Sequence, residues 1–277
     1  MTVSDFVSAT AATCKGIVKM LLMSRGGTLK PEVRRRPLAV LGNGPSLNRT
    51  LSEDREALGA YDLMAVNFAA NAPVFESLRP RYYVLADPFF FSDGTSEDLL
   101  KLRRAMSAVN WPMTLLVPRA AAARARDLYG TNTNITVRAF NAVGVEGFGW
   151  FERAAYGSRM AMPRPRNVLI PAIMCGIWLG YTRINIVGAD HSWMQSLYVD
   201  DRNHVVSVQP HFYSDSESER ARVYAEYEGY RLHDIVRSFY VAFRAYHRIA
   251  AYARGLDVRI VNSTPGSYID AFERGPL

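Results

Sequence analysis

The chain has 277 residues, 49% of them hydrophobic and 21% charged, and a formal net charge of +7. That length holds one α/β domain with a full core and a small lid, and a mixed composition without low-complexity tracts excludes a fibrous or largely disordered chain. The positive balance suits a polyanionic partner; with no zinc-ligand spacing, helix-turn-helix signature or aromatic RNA-binding motif, nucleic acid gives way to phosphorylated substrates or an acidic membrane surface.

The first element is a helix over residues 6–23, followed by a basic stretch holding Arg25, Lys30, Arg34, Arg35 and Arg36. Lys15 and Lys19 interrupt its apolar part, and no small-residue cleavage site follows, so export is not expected. No run reaches the ~18 to 20 apolar residues that span a bilayer, so the chain is not expected to cross one. An interfacial helix beside a basic patch would hold the chain against anionic lipid; the alternative is packing on its own domain or another subunit. Residues 1–36 thus form an N-terminal segment and residues 37–277 the α/β domain. The expected location is the cytoplasm, at the inner face of the membrane if the helix meets lipid.

From Pro37 on, short β-branched runs alternate with helical stretches, the pattern of a mostly parallel sheet. Strands are expected at 38–41, 63–66, 82–85, 114–117, 135–137, 184–187 and 258–261, seven in all, making a doubly wound Rossmann-like sheet. Thr50 and Glu53 have the spacing of a capping box, with Gly59 at the helix end. A helix apolar on nearly every side, hence buried, runs from Pro171 and stops at Gly180; within it Cys175 reads as a buried thiol. Residues 192–220 are polar with scattered aromatics and read as a lid. A long helix over 224–254, closed by Gly255, leads into the last strand.

The polar residues gather where these strands end. Gly42-Asn43-Gly44-Pro45-Ser46-Leu47 follows the first strand; its glycines let the backbone approach a phosphate or ribose, or simply make a tight turn. It lacks the third glycine and the acidic partner of the dinucleotide fingerprint. Asn67, with Asn71 nearby, ends the second strand and Asp87-Pro88 the third, and ligands of open parallel sheets bind at such carboxyl ends. Asn262 and Ser267 follow the last strand, to contact a donor or to cap a final helix. Asp200-Asp201 and Asp215-Ser216-Glu217 could imitate the carboxylates of a metal-dependent transferase, but sit in a polar loop where a solvated acidic cluster is the commoner reading.

Gly42 to Leu47, then Asn67, then Cys175 to Tyr181 leading into Ile186-Val187-Gly188-Ala189-Asp190, resemble the bacterial sialyltransferases of glycosyltransferase family 42. They also resemble broader relatives with a domain of unknown function in surface-polysaccharide gene clusters. The resemblance covers roughly residues 37–272 as a series of short motifs, and implies a single-domain GT-A-like variant of the fold. It implies an inverting, metal-independent transfer of an acidic sugar from a cytidine monophosphate (CMP) sugar to a glycan or glycolipid acceptor, with no cofactor beyond that donor and a homo-oligomeric enzyme. Tyr230-Arg231-Leu232-His233 matches the family's tyrosine-x-x-histidine, making His233 the base, and Tyr198 and Tyr230 would steady the leaving phosphate. Asn43 and Asn67 match donor-binding asparagines, Asn167 stands where the family has threonine, Asp87 where it has asparagine, and Ser192 where it has a second tyrosine. Gly42, Gly44, Ser46 and Asp190 complete the implied donor site. His211 is the runner-up base. Two other readings stand beside this one: a pterin pyrophosphokinase using ATP and magnesium, and a non-catalytic scaffold of an envelope-polysaccharide complex.

Overall fold

The computed structural model describes residues 2–26, 29–206 and 229–277. Its centre is an eight-stranded sheet in the order β10-β9-β6-β1-β2-β3-β4-β5, parallel throughout. Chain order supplies β1 (Leu38–Leu41), β2 (Asp62–Val66), β3 (Tyr82–Val84), β4 (Met113–Pro118), β5 (Ile135–Phe140), β6 (Arg183–Val187), β9 (Arg259–Asn262) and β10 (Glu273–Arg274). Seven strands match the expected ones to within a few residues; β10 is an addition, laid on the edge of β9. A separate antiparallel hairpin, β7 (Tyr198–Val199) with β8 (Val205–Val206), lies in the segment read as a lid, of which residues 207–220 fall outside the described residues.

The centre of the sheet is apolar on both faces because helices cover both. Leu38 and Val40 point into the core shared with α7 (Gly149–Gly157), α8 (Leu169–Trp178) and α9 (Leu232–Arg254). Ala39 and Leu41 point the other way, toward Leu47 of α2 (Ser46–Glu53) and Leu58 of α3 (Arg55–Leu58). On that second face α4 (Phe75–Leu78), α5 (Glu97–Ser107) and α6 (Ala122–Tyr129) cover β3 to β5. Every residue of α8 is buried, as its sequence implies. Gly176 lets it settle onto Leu38 and Ile184, and Gly180, at φ +91°, ends it in a conformation other residues resist.

Three expectations are corrected. Thr50 and Glu53 do not start a helix: α2 begins at Ser46, and Thr50 is buried inside it. No helix follows the last central strand; a turn over 264–270 leads into β10 instead. The N-terminal helix, α1 (Val3–Met23), is longer than expected, and its mean hydropathy of 1.4 over 18 residues makes it long and apolar enough to cross a membrane, by length and composition alone. Its Thr2 and Asp5 form a reciprocal capping box. The part of the long terminal helix expected before residue 229 lies outside the described residues.

The segment before β1 is stitched to the rest of the fold. Thr13 accepts from Phe148 N–H at 3.0 Å, Arg25 and Asn141 exchange hydrogen bonds at 3.2 and 2.8 Å, and Leu29 is fully buried.

Candidate functional site

In this sheet the chain runs outward from β1 to β5 and then returns to the other side of β1 to lay down β6, so the strand order reverses between β1 and β6. Open parallel sheets bind ligands in the crevice at such a reversal. A cavity of about 510 Å³ lies there, within the roughly 300–1,000 Å³ usual for small-molecule sites. Asn43, Asn67 and Asp87 reach it from the ends of β1 to β3, Asp190 and His191 from the end of β6, and Asn167 from the approach to α8.

Three side-chain amides on this wall each hold one buried polar atom without a partner among the described residues: Asn43 Oδ1, Asn67 Oδ1 and Asn167 Nδ2. Each amide is oriented by its opposite end or by its backbone. Asn43 Nδ2 donates to Val66 O at 3.3 Å. Asn167 Oδ1 accepts from Leu169 N–H at 3.0 Å and from the Tyr246 hydroxyl at 2.9 Å, which leaves its Nδ2 as the end without a partner among the described residues. Asn67 sits at φ +49°, a left-handed conformation that asparagine tolerates. An unpaired buried polar group costs about 1–3 kcal/mol, and two acceptors and a donor in that condition belong to residues that line one cavity. Arg166 and Asp87 stand exposed on the same wall, Asp87 also capping the turn after β3 through Phe89 N–H at 2.8 Å.

The glycine turn works differently from the expectation. Gly42 N–H donates to Val187 O at 2.7 Å and Gly44 N–H to Gly188 O at 2.8 Å, so these amides are spent on the β6 turn and not on an anion. The start of α2 is likewise taken: Ser46 donates its N–H and its hydroxyl to the Asp190 carboxylate at 3.3 and 2.7 Å. Asp190 thus occupies the place where a phosphate was expected. Gly42 and Ser46 do not line the cavity, whereas Gly44 does.

Of the two readings of Asn262 and Ser267, the described hydrogen bonds are those of a structural brace. Both are buried, and Asn262 is saturated by Ser267 Oγ, Ile269 O and Thr264 N–H, while Ser267 donates to Ala189 O at 2.6 Å. They brace the turn beneath the cavity and touch nothing inside it. The candidate catalytic groups stand outside the cavity lining too. His233 is 80% exposed at the start of α9, 3.4 Å from Asp234, and Tyr198 and Tyr230 are 53% and 54% exposed. Asp200 organises the β7–β8 turn by accepting from Arg202 and His204 N–H. His211, Asp215 and Glu217 lie outside the described residues.

The residue that sequence reasoning missed is His191. It is buried, holds φ +52°, stacks on Trp193 with ring centroids 4.1 Å apart, and bonds Tyr246 at 2.7 Å. Because the Tyr246 hydroxyl donates to Asn167, its oxygen accepts from His191 Nε2–H, which fixes the neutral tautomer. Burial pushes the imidazole down to about 3 from 6.5. Between those values the unfolded chain binds a proton that the folded chain does not. Its contribution to stability is therefore complete above pH 6.5 and is lost as the pH falls toward 3. From pH 7 to pH 5 the wild-type chain should lose about 2 kcal/mol more unfolding free energy than His191→Asn, in which asparagine accepts the same backbone but does not titrate. Urea denaturation at both pH values measures this, and parallel losses in the two proteins would refute it.

Fold and cavity together define an α/β protein with a mostly parallel sheet and a crevice at the strand reversal. No protein-family model matches the sequence, and no curated protein matches it. Among solved structures, the MAf glycosyltransferase of Magnetospirillum magneticum AMB-1 is similar over 96% of this chain and 38% of its own length, with a TM-score of 0.50 at 11% identity. The chain therefore spans well under half the length of that neighbour, and the likeness is one of fold.

Proposed function

We propose that the protein is a glycosyltransferase that takes a nucleotide-activated sugar into the cavity between β1 and β6, the donor being a CMP-linked acidic sugar. The observation that carries this reading is the set of orphaned amide atoms at Asn43, Asn67 and Asn167. Two acceptors and a donor complement the amino and carbonyl groups of a pyrimidine or the hydroxyls of a sugar, and Arg166 adds a cation for a phosphate. The fold-level neighbour, a glycosyltransferase, and the family 42 resemblance support the same class. Transfer by direct displacement needs a base for the acceptor hydroxyl; His233 is assigned that role, with Tyr198 and Tyr230 on the departing phosphate. The acceptor is a surface glycan or glycolipid.

Thermal unfolding in the presence of CMP, uridine diphosphate, or ATP with magnesium tests the donor class. CMP at a hundredfold excess over its dissociation constant should stabilise the fold by about 2.7 kcal/mol, a rise of several degrees, while ATP with magnesium should do little. Asn43→Ala should weaken CMP about tenfold. A response to ATP with magnesium alone would replace this reading with the pyrophosphokinase one, and no response to any nucleotide would end it. A non-catalytic scaffold is favoured by one observation, that none of His233, Tyr198 and Tyr230 lines the cavity. It predicts CMP binding without hydrolysis or transfer of any CMP-sugar.

A further inference from the structure

Helix α1 divides into three faces. Thr13, Gly16 and Met20 turn toward the domain, Gly16 seated against the Phe151 ring and Met20 against the main core. Val3, Val7, Cys14, Val18 and Leu21, recurring at the intervals of one helical face, are all exposed, with Leu22 beside them. Lys15 and Lys19 occupy the remaining sector. Where the chain leaves α1, Lys30 joins Arg119, Arg126 and Arg138 around a hollow of about 540 Å³ beside β5 that no acidic residue lines. Arg119 Nε is buried there without a partner among the described residues.

We propose that α1 docks the protein on an anionic lipid bilayer, lying in the plane of the interface with its apolar stripe among the acyl chains and Lys15 and Lys19 at the phosphates, the four-cation hollow at the edge strand β5 adding a further phosphate contact. An apolar stripe flanked by lysines is the form of an interfacial helix. Spanning is disfavoured because one side of α1 is tied to the domain by Phe148 N–H to Thr13 and by the Phe6–Phe148 ring contact, all of which a transmembrane helix would shed. A second copy is disfavoured because a two-fold interface over this face would bring in a second set of the same cations, with no acidic residue lining the hollow to pair with them.

Flotation of the pure protein with vesicles of phosphatidylcholine, alone or mixed with phosphatidylglycerol, tests the proposal. Binding is expected only to the mixed vesicles and should weaken as salt rises. Leu21→Asp with Leu22→Asp, at side chains 70% and 72% exposed, should lower partitioning at least about tenfold with an unchanged melting temperature. Arg126→Glu with Arg138→Glu, also exposed, should do the same for the mixed vesicles. Absence of binding to mixed vesicles, indifference to both variants, or resistance to alkaline carbonate extraction would overturn it. So would self-association, lost in the leucine variant, in place of vesicle binding.

Discussion

Gly42→Ala should destabilise the fold by about 3 kcal/mol or more and lower the melting temperature by roughly 6 to 12 °C. The new methyl group would land on the Gly188 carbonyl, which is backbone and cannot rotate aside. Gly188 has no room to yield. It holds φ +66°, and a Cβ there would lie 2.6 Å from the Gly42 carbonyl in turn. The turns after β1 and β6 are thus spliced back to back, and two glycines are the condition for it. Gly157→Ala supplies the control: it lies in α7, the nearest atom to its added Cβ is 3.8 Å away, and helix propensity makes it neutral or slightly stabilising. Urea denaturation of both variants decides, and a Gly42→Ala protein as stable as Gly157→Ala would show that the splice is looser than described.

His233→Ala should lower turnover on the order of 10² to 10⁴ while leaving CMP binding and the fold intact. The expectation rests on the proposed role of His233 as the base for the acceptor hydroxyl. His191 lines the cavity, but burial pushes it to about 3, too weak a base for acceptor chemistry near neutrality, and its ring is committed to Tyr246. His204 faces Asp200 at 3.3 Å and His247 faces Asp270 at 3.0 Å. His233 is likewise near a carboxylate, 3.4 Å from Asp234, with its ring 80% exposed at the head of α9, and the proposed role requires it to reach the cavity in the substrate complex. His191→Asn should leave a different signature, a loss of donor affinity through the Tyr246–Asn167 link with a smaller effect on kcat. Full turnover in a folded His233→Ala protein would remove His233 from the mechanism.

The sheet was largely legible because its central strands are buried on both faces and must be written as unbroken apolar runs, as in Leu38-Ala39-Val40-Leu41. β10 was not, for Glu273 and Arg274 are exposed and polar; an ion pair between Glu273 and Arg259 and the ladder to β9 hold it in place, with no apolar signal. The start of α2 was misplaced because its cap comes from Asp190, 144 residues away, whereas Thr50 and Glu53 offered a local imitation. At the site, Asn43, Asn67 and Asn167 were marked by position and resemblance, yet the reason they matter, which end of each amide is left free, depends on partners such as Tyr246 from a distant helix. The same non-locality hid His191: a histidine after a strand is unremarkable until Tyr246 and Trp193 enclose it. Asn262 and Ser267 stayed ambiguous in the sequence, since polar residues at a carboxyl edge look alike whether they face a ligand or brace a turn.

The placement of β1 between β2 and β6 also bears on how the polypeptide is made. Emerging from the ribosome, the first five strands can pair in succession, but one flank of β1 stays bare until residues 183–187 have been synthesised. A nascent chain stalled before that point would carry β1 as an open, wholly apolar edge strand, ready to bind another such chain. Aggregates formed during hurried expression should therefore be rich in truncated products ending short of β6, and slower translation should relieve them.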